Sequence, residues 1–196
     1  MKTKPRIALA ALLFTTLFGS AYADAPKGWF VTGNAPTDYV FGTDTKIAHA
    51  GGKSAYIRAG KNAGAGNASV SFASLAQVIS PAAYRGKRIR LSGYLRSEDA
   101  AKAQMMMRID GPGKHVTGFD NMESRPVRGN TDWKRYDIVL DVPDDTVDIF
   151  FGFLLVGNGE VWADDFTLES VGHEVPVTGN TPPPLSPVPV NMGFED

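Results

Sequence analysis

The stretch Lys87-Arg88-Ile89-Arg90-Leu91-Ser92-Gly93-Tyr94-Leu95-Arg96-Ser97 alternates with a period of two. Ile89, Leu91 and Leu95 share one face with Gly93, while Arg88, Arg90, Ser92, Tyr94 and Arg96 share the other. Successive side chains of a strand point to opposite faces, so this pattern predicts a half-buried β-strand. A glycine on the apolar face marks a bulge or a close approach by a neighbour.

The same period continues on either side. Asp132 to Pro143 alternates, with Trp133, Ile138, Leu140 and Val142 expected inside if a bulge intervenes. Pro143-Asp144-Asp145 is a turn. Val147 to Val156 is nearly all apolar, which fits a central strand covered on both faces or one that faces a ligand groove. Gly157-Asn158-Gly159 turns into a further strand, Glu160 to Glu169, that carries Asp164-Asp165. Further strands are expected at Ser54 to Arg58, Ala68 to Ile79 and Gln104 to Asp110, separated by Gly- and Pro-rich turns. Pro81 to Tyr84 is the one place for a helical turn. The expectation is an antiparallel β-sandwich over residues 28–171.

The ends of the chain read differently. A basic start (Lys2, Lys4, Arg6), an apolar run from Ile7 to Phe18 and Ala21-Tyr22-Ala23 match a cleaved export signal, residues 1–23. The apolar run is too short for a membrane span of about 20 residues. The domain is expected over residues 24–174 and a Pro-rich tail over 175–196. That tail either folds back as an edge strand or opens a second module. The expected location is periplasmic or secreted, as a monomer. There is no cysteine, which excludes disulfides, thiolate metal sites and a cysteine nucleophile. Twenty basic residues against 21 acidic ones give no electrostatic case for nucleic acid or anionic lipid.

Several segments together resemble a known family: Gly28-Trp29-Phe30, His49 to Ala55, Tyr84 to Ser92, Met107 to Gly111, Phe119 to Met122, Thr131-Asp132-Trp133 and Asp164-Asp165-Phe166. They are similar to the bacterial galactose-binding-like jelly rolls of the CenC-type carbohydrate-binding modules. The nearest branch is little characterised and also occurs attached to AraC-type regulators. The resemblance implies a jelly-roll sandwich and a structural calcium ion near the chain ends. Its ligands would be Asp44, Asp165 (with Asp164 as the substitute) and Glu195, the last lying in an Asn191-Met192-Gly193-Phe194-Glu195 segment that normally opens such domains.

The polar faces suggest a ligand surface. Tyr94 and Arg96 on one strand are expected to meet Met106, Arg108 and Asp110 on the next, with Asp120 and Asn121 in a loop at the rim. Aromatic faces suit the C–H side of a sugar ring, and planar Arg, Asp and Asn groups suit its hydroxyls. His49, His115 and His173 fall in loops and show no metal or nucleophile spacing. Adjacent aspartates in turns are explained by turn chemistry, so paired-carboxylate hydrolysis is the least favoured reading. The sequence therefore points to an exported, non-catalytic module that binds an oligosaccharide or cell-wall glycan. A structural or protein-interaction sandwich and a small hydrolase are the alternatives.

Overall fold

The computed structural model describes residues 25–63 and 71–179, together with Val188, Pro189 and Met192. The signal-like segment 1–23, Glu195 and most of the tail lie outside the described residues.

Among the described residues nine antiparallel strands form the domain: β1 (Phe30–Gly33), β2 (Tyr39–Asp44), β3 (Ser54–Ala59), β4 (Phe72–Ile79), β5 (Lys87–Asp110), β6 (Val116–Asp120), β7 (Val127–Val142), β8 (Asp148–Val156) and β9 (Glu160–Val171). Two 3₁₀ turns, Pro36–Asp38 and Pro112–Lys114, are the helical elements among the described residues. Pro81 to Tyr84 is a hydrogen-bonded turn, closed by Tyr84 and Arg85 N–H donating to the Pro81 carbonyl.

Strand β5 organises everything else. Its first half pairs with β9 and β7, and its second half pairs with β8 and β6. The sheet therefore curls at the middle of β5 into two layers. The front layer runs β1-β4-β8-β5-β6, and the back layer runs β2-β3-β9-β5-β7. At the corner the register with β7 shifts three times between Leu95 and Ala103, and Asp99 takes a left-handed φ of 48°. Asn130 Oδ1 accepts from Asp99 N–H at 2.7 Å and so satisfies the backbone there. Gly159 (φ 98°) passes so close that a Cβ would stand 2.4 Å from the Asp99 carbonyl oxygen, which fixes glycine at that position.

Between the layers lies one core. Ile57, Leu75, Ile89, Leu91, Leu95, Met105, Met107, Ile109, Ile138, Phe153 and Val161 are fully buried in it. Each such side chain contributes about 1.5–3 kcal/mol of hydrophobic stabilisation. The expected inward set holds for Ile89, Leu91, Leu95, Ile138, Leu140 and Val142. Gly93 is the predicted close approach: a Cβ there would meet the Phe166 ring at 3.1 Å.

Trp133 is a correction. No register shift falls between Lys134 and Val142, where β7 pairs Lys134 with Leu95 and Ile138 with Leu91. The bulge needed to turn Trp133 inward is missing, so it shares the outer face with Arg135 and Asp137. There it sits half-buried, edge-on to the His49 ring.

The chain stays docked beyond residue 174. The Arg88 guanidinium donates to the carbonyls of His173 and Val175. Thr178 N–H donates to the Val139 carbonyl, and Thr178 Oγ1 accepts from Val139 N–H at 2.8 Å. Gly179 packs against Phe119, Asp120 and Leu140.

Candidate functional site

Strand parity builds a groove on the outer face of the front layer. In β8, Ile149, Phe151, Phe153 and Leu155 enter the core, so Phe150, Leu154 and Val156 face outward. In β5 the same split puts Met105, Met107 and Ile109 inside and Gln104, Met106 and Arg108 outside. Register aligns these residues into rows across the sheet. One row runs Val78, Phe150, Arg108, Phe119, and the next runs Phe30, Ala76, Gly152, Met106. A third runs Thr32, Ser74, Leu154, Gln104. Small residues, Ala76 and Gly152, occupy the middle of the floor, while phenylalanines and long side chains stand at its margins. The result is a groove of about 410 Å³.

Its floor is apolar: Met106, Leu154 and Val156 form a separate small cluster with Ala76, Phe72 and Phe150. The charges at its margins are paired. Arg108 donates Nε and Nη2 to Asp110 at 3.1 and 2.8 Å and lies over the Phe150 ring. Lys102 Nζ donates to Glu123 at 2.7 Å, and that bond is the main cause holding the Glu123 carboxyl below its ordinary range. Gln104 Nε2 donates to the Asn121 carbonyl at 2.7 Å and to Glu123 Oε2 at 3.2 Å. Ser74 Oγ and Gln104 Oε1 are buried without a hydrogen-bond partner.

The structure divides the predicted ligand residues. Met106, Arg108 and Asn121 line the groove. Tyr94 and Arg96 do not, because they lie on the same long strand as Met106, in the half that belongs to the back layer. Tyr94 stacks on His49 at 3.6 Å between ring centres, and Arg96 covers Trp162. Asp110 and Asp120 are corrections as exposed ligand groups. The register with β6 shifts between Ile109 and Asp110, and Asp110 is 1% exposed. Asp120 pairs with core-facing Met107. It is buried and accepts from Arg125, from Met122 N–H and from Thr178 Oγ1. Sequence reasoning missed Phe72, Ser74, Lys102, Gln104 and Glu123 as groove residues, whereas Phe150 and Leu154 lie in the run for which a groove-facing strand is one of the two readings. The doubly apolar run from Val147 to Val156 was the available signal.

The described residues expected to hold calcium, Asp44, Asp164 and Asp165, each have hydrogen-bond partners. Asp44 accepts from Lys46 and Ile47 N–H and from Trp162 Nε1. These bonds, that from Lys46 N–H above all, hold its carboxyl below the ordinary range. Asp164 accepts from His49, Ala50 and Asp165 N–H. Asp165 (φ 52°) meets His49 Nδ1 at 2.7 Å. Among the described residues no three acidic or histidine side chains cluster closely enough to share an ion. Glu195, the remaining expected ligand, lies outside the described residues.

No family model matches the chain. Solved structures with the same arrangement include the CBM22-1 xylan-binding domain of Paenibacillus barcinonensis Xyn10C (TM-score 0.54, 10% identity, 76% of this chain and 90% of that one). They also include the C-terminal family 22 carbohydrate-binding module of Clostridium thermocellum Xyn10B (TM-score 0.54, 14% identity, 78% and 94%). The fold is that of the family 22 carbohydrate-binding modules. A tailspike domain of bacteriophage CBA120 shares it as well (TM-score 0.55, 12% identity, 74% of this chain and 20% of that one). At these identities the CBM22-like likeness establishes fold alone. In sequence the chain is similar to the uncharacterized HTH-type transcriptional regulator YbfP of Bacillus subtilis (strain 168), 37% identical over 172 residues and 87% of this chain. The chain spans 57% of that regulator's length. Among the described residues no helix is long and apolar enough to cross a membrane.

Proposed function

We propose that this chain is a non-catalytic binding module that takes a glycan in the front-layer groove. The observation that carries the reading is the groove itself: an apolar floor, phenylalanines at the margins, and fixed polar groups on one sheet face. Such a surface meets the C–H faces of sugar rings with Phe150 and Phe119 and their hydroxyls with amides and hydroxyls. The CBM22-like fold supports it, because a xylan-binding domain shares that fold. Export across the inner membrane, to the periplasm or beyond, belongs to the same proposal and rests on the Met1 to Ala23 pattern. Cell fractionation with N-terminal sequencing tests it: a cytoplasmic protein that retains Met1 refutes export.

The match to a regulator favours a second use of the same groove, as the sensing part of a ligand-responsive protein. That reading changes what binding accomplishes and leaves the site where it is.

A glycan array probed with the full chain tests the binding. Phe119, 39% exposed at the groove margin, is the residue to vary. Phe119→Ala is expected to weaken the best glycan about tenfold, the loss of one aromatic contact, without moving the melting temperature by more than about 2 °C. Unchanged affinity would place the site elsewhere on the molecule.

A further inference from the structure

Ser74 and Gln104 sit in one row across the front layer, one strand either side of Leu154. Both side chains are buried, at 0% and 1% exposure, and Ser74 Oγ and Gln104 Oε1 have no hydrogen-bond partner. Both belong to the groove wall. Leaving a buried polar atom unpaired is costly, and two in one row of one groove require a reason.

The Gln104 amide cannot turn over to relieve this. Its Nε2 donates to the Asn121 carbonyl and to Glu123 Oε2. A flipped amide would set its oxygen against those two acceptors. The unpartnered atom is therefore fixed as an acceptor, and what it lacks is a donor. Ser74 Oγ can donate or accept. Two strand spacings, about 9–10 Å, separate the two positions, so a single hydroxyl cannot serve both.

The charges of the groove point the same way. Lys102 is taken by Glu123 and Arg108 by Asp110. A carboxylate or phosphate on the ligand would have to share Lys102 or Arg108 with the carboxylate already paired to it, and it would bring no donor to Gln104.

We infer that Ser74 and Gln104 are specificity-determining residues that select a neutral, hydroxyl-donating ligand chain over acidic glycans and over purely apolar molecules. This rests on the groove being the ligand site and names the chemistry it accepts.

Calorimetric titration of the full chain with neutral hexasaccharides (xylohexaose, cellohexaose, mannohexaose) and with hexagalacturonate tests the inference, with a fatty acid as the apolar probe. At least one neutral chain is expected to bind more than tenfold tighter than the uronate or the fatty acid. Ser74→Ala is the sharp variant, because it removes a hydroxyl that bonds to nothing in the protein. Its melting temperature should be unchanged or higher, while affinity for the neutral chain falls about three- to tenfold, the loss of one hydrogen bond. Gln104→Met should cost tenfold or more; it also releases Asn121 and Glu123, so Ser74→Ala is the cleaner measure. Preference for the uronate or the fatty acid overturns the selectivity. A neutral chain that binds wild type and Ser74→Ala equally overturns the assignment of Ser74 while leaving the groove as the site. No binding of any of the glycans, neutral or acidic, removes both the inference and the reading beneath it.

Discussion

The two outer faces of this sandwich are made by one strand and share almost no chemistry. Along the first half of β5 the outward residues are Arg88, Arg90, Ser92, Tyr94 and Arg96, and their neighbours on β7 and β9 include the carboxylates Asp137, Asp141, Asp164 and Glu169. Arg88 meets Asp141 at 2.7 Å, and Arg90 meets Glu169 at 2.6 Å. Along the second half the outward residues are Gln104, Met106 and Arg108, beside Phe150 and Leu154. The back face carries two cross-strand ion pairs, Arg88–Asp141 and Arg90–Glu169, beside an aromatic cluster of His49, Tyr94 and Trp133. The front face is an apolar floor with polar atoms left over. A sheet that needs only to face water has no use for the second arrangement, and that contrast is what supports the proposed site.

Two adjacent methionines offer the strongest way to break the contrast. Met105 is fully buried in the central core, whereas Met106 belongs to the groove floor. Met105→Ala is expected to cost about 2–5 kcal/mol, and Met106→Ala about 1 kcal/mol. Chemical denaturation measures both. Equal costs would mean that the groove floor is a second core and not a ligand surface.

Acid is expected to act on both faces together. Asp141 is held below the ordinary carboxylate range by its bond from Arg88, and Asp148 by its bond from Lys114. Carboxylates depressed in the folded state contribute stability that is fully present above the unfolded value, about 4. It is lost as pH falls through the lower folded values. The melting temperature should stay level down to about pH 4 and decline below it. A decline that begins at pH 6 would show that other groups govern the acid response.

The smallest effect belongs to the back-face ion pairs. Arg90 and Glu169 are both substantially exposed, and a pair of that kind is worth less than about 1 kcal/mol. A double-mutant cycle on Arg90→Ala and Glu169→Ala should give that coupling and show it shrinking in high salt. A coupling above 2 kcal/mol would make the back face a structural brace.

Most of the strand set was legible in the sequence because alternation is local. Ile89 and Leu91 could be placed inside from their own neighbours, and Gly93 announced the Phe166 ring. What crossed between strands was not legible. Lys87 to Ser97 and Gln104 to Asp110 read as two separate strands, yet the chain stays extended between them and changes partners. Tyr94 and Met106 consequently looked like neighbours on adjacent strands and are instead far along one. Trp133 is expected inward only if a bulge separates it from Ile138, and the register supplies none there. Asp120 looked like a rim residue until pairing with Met107 turned it into the core. The groove depends on register across β4, β8 and β5, which no single segment contains.

Shared membership of β5 in both layers also dictates when the domain can form. Arg90 lies opposite Glu169, and Met106 lies opposite Gly152. The hub strand is thus synthesised dozens of residues before the partners that cover it. Folding dominated by such distant pairings is slow, because loop closure precedes any reward from contact. Neither layer can close around β5 on a nascent chain until β8 and β9 have emerged, so the final third of the domain acts as the clasp for all that precedes it.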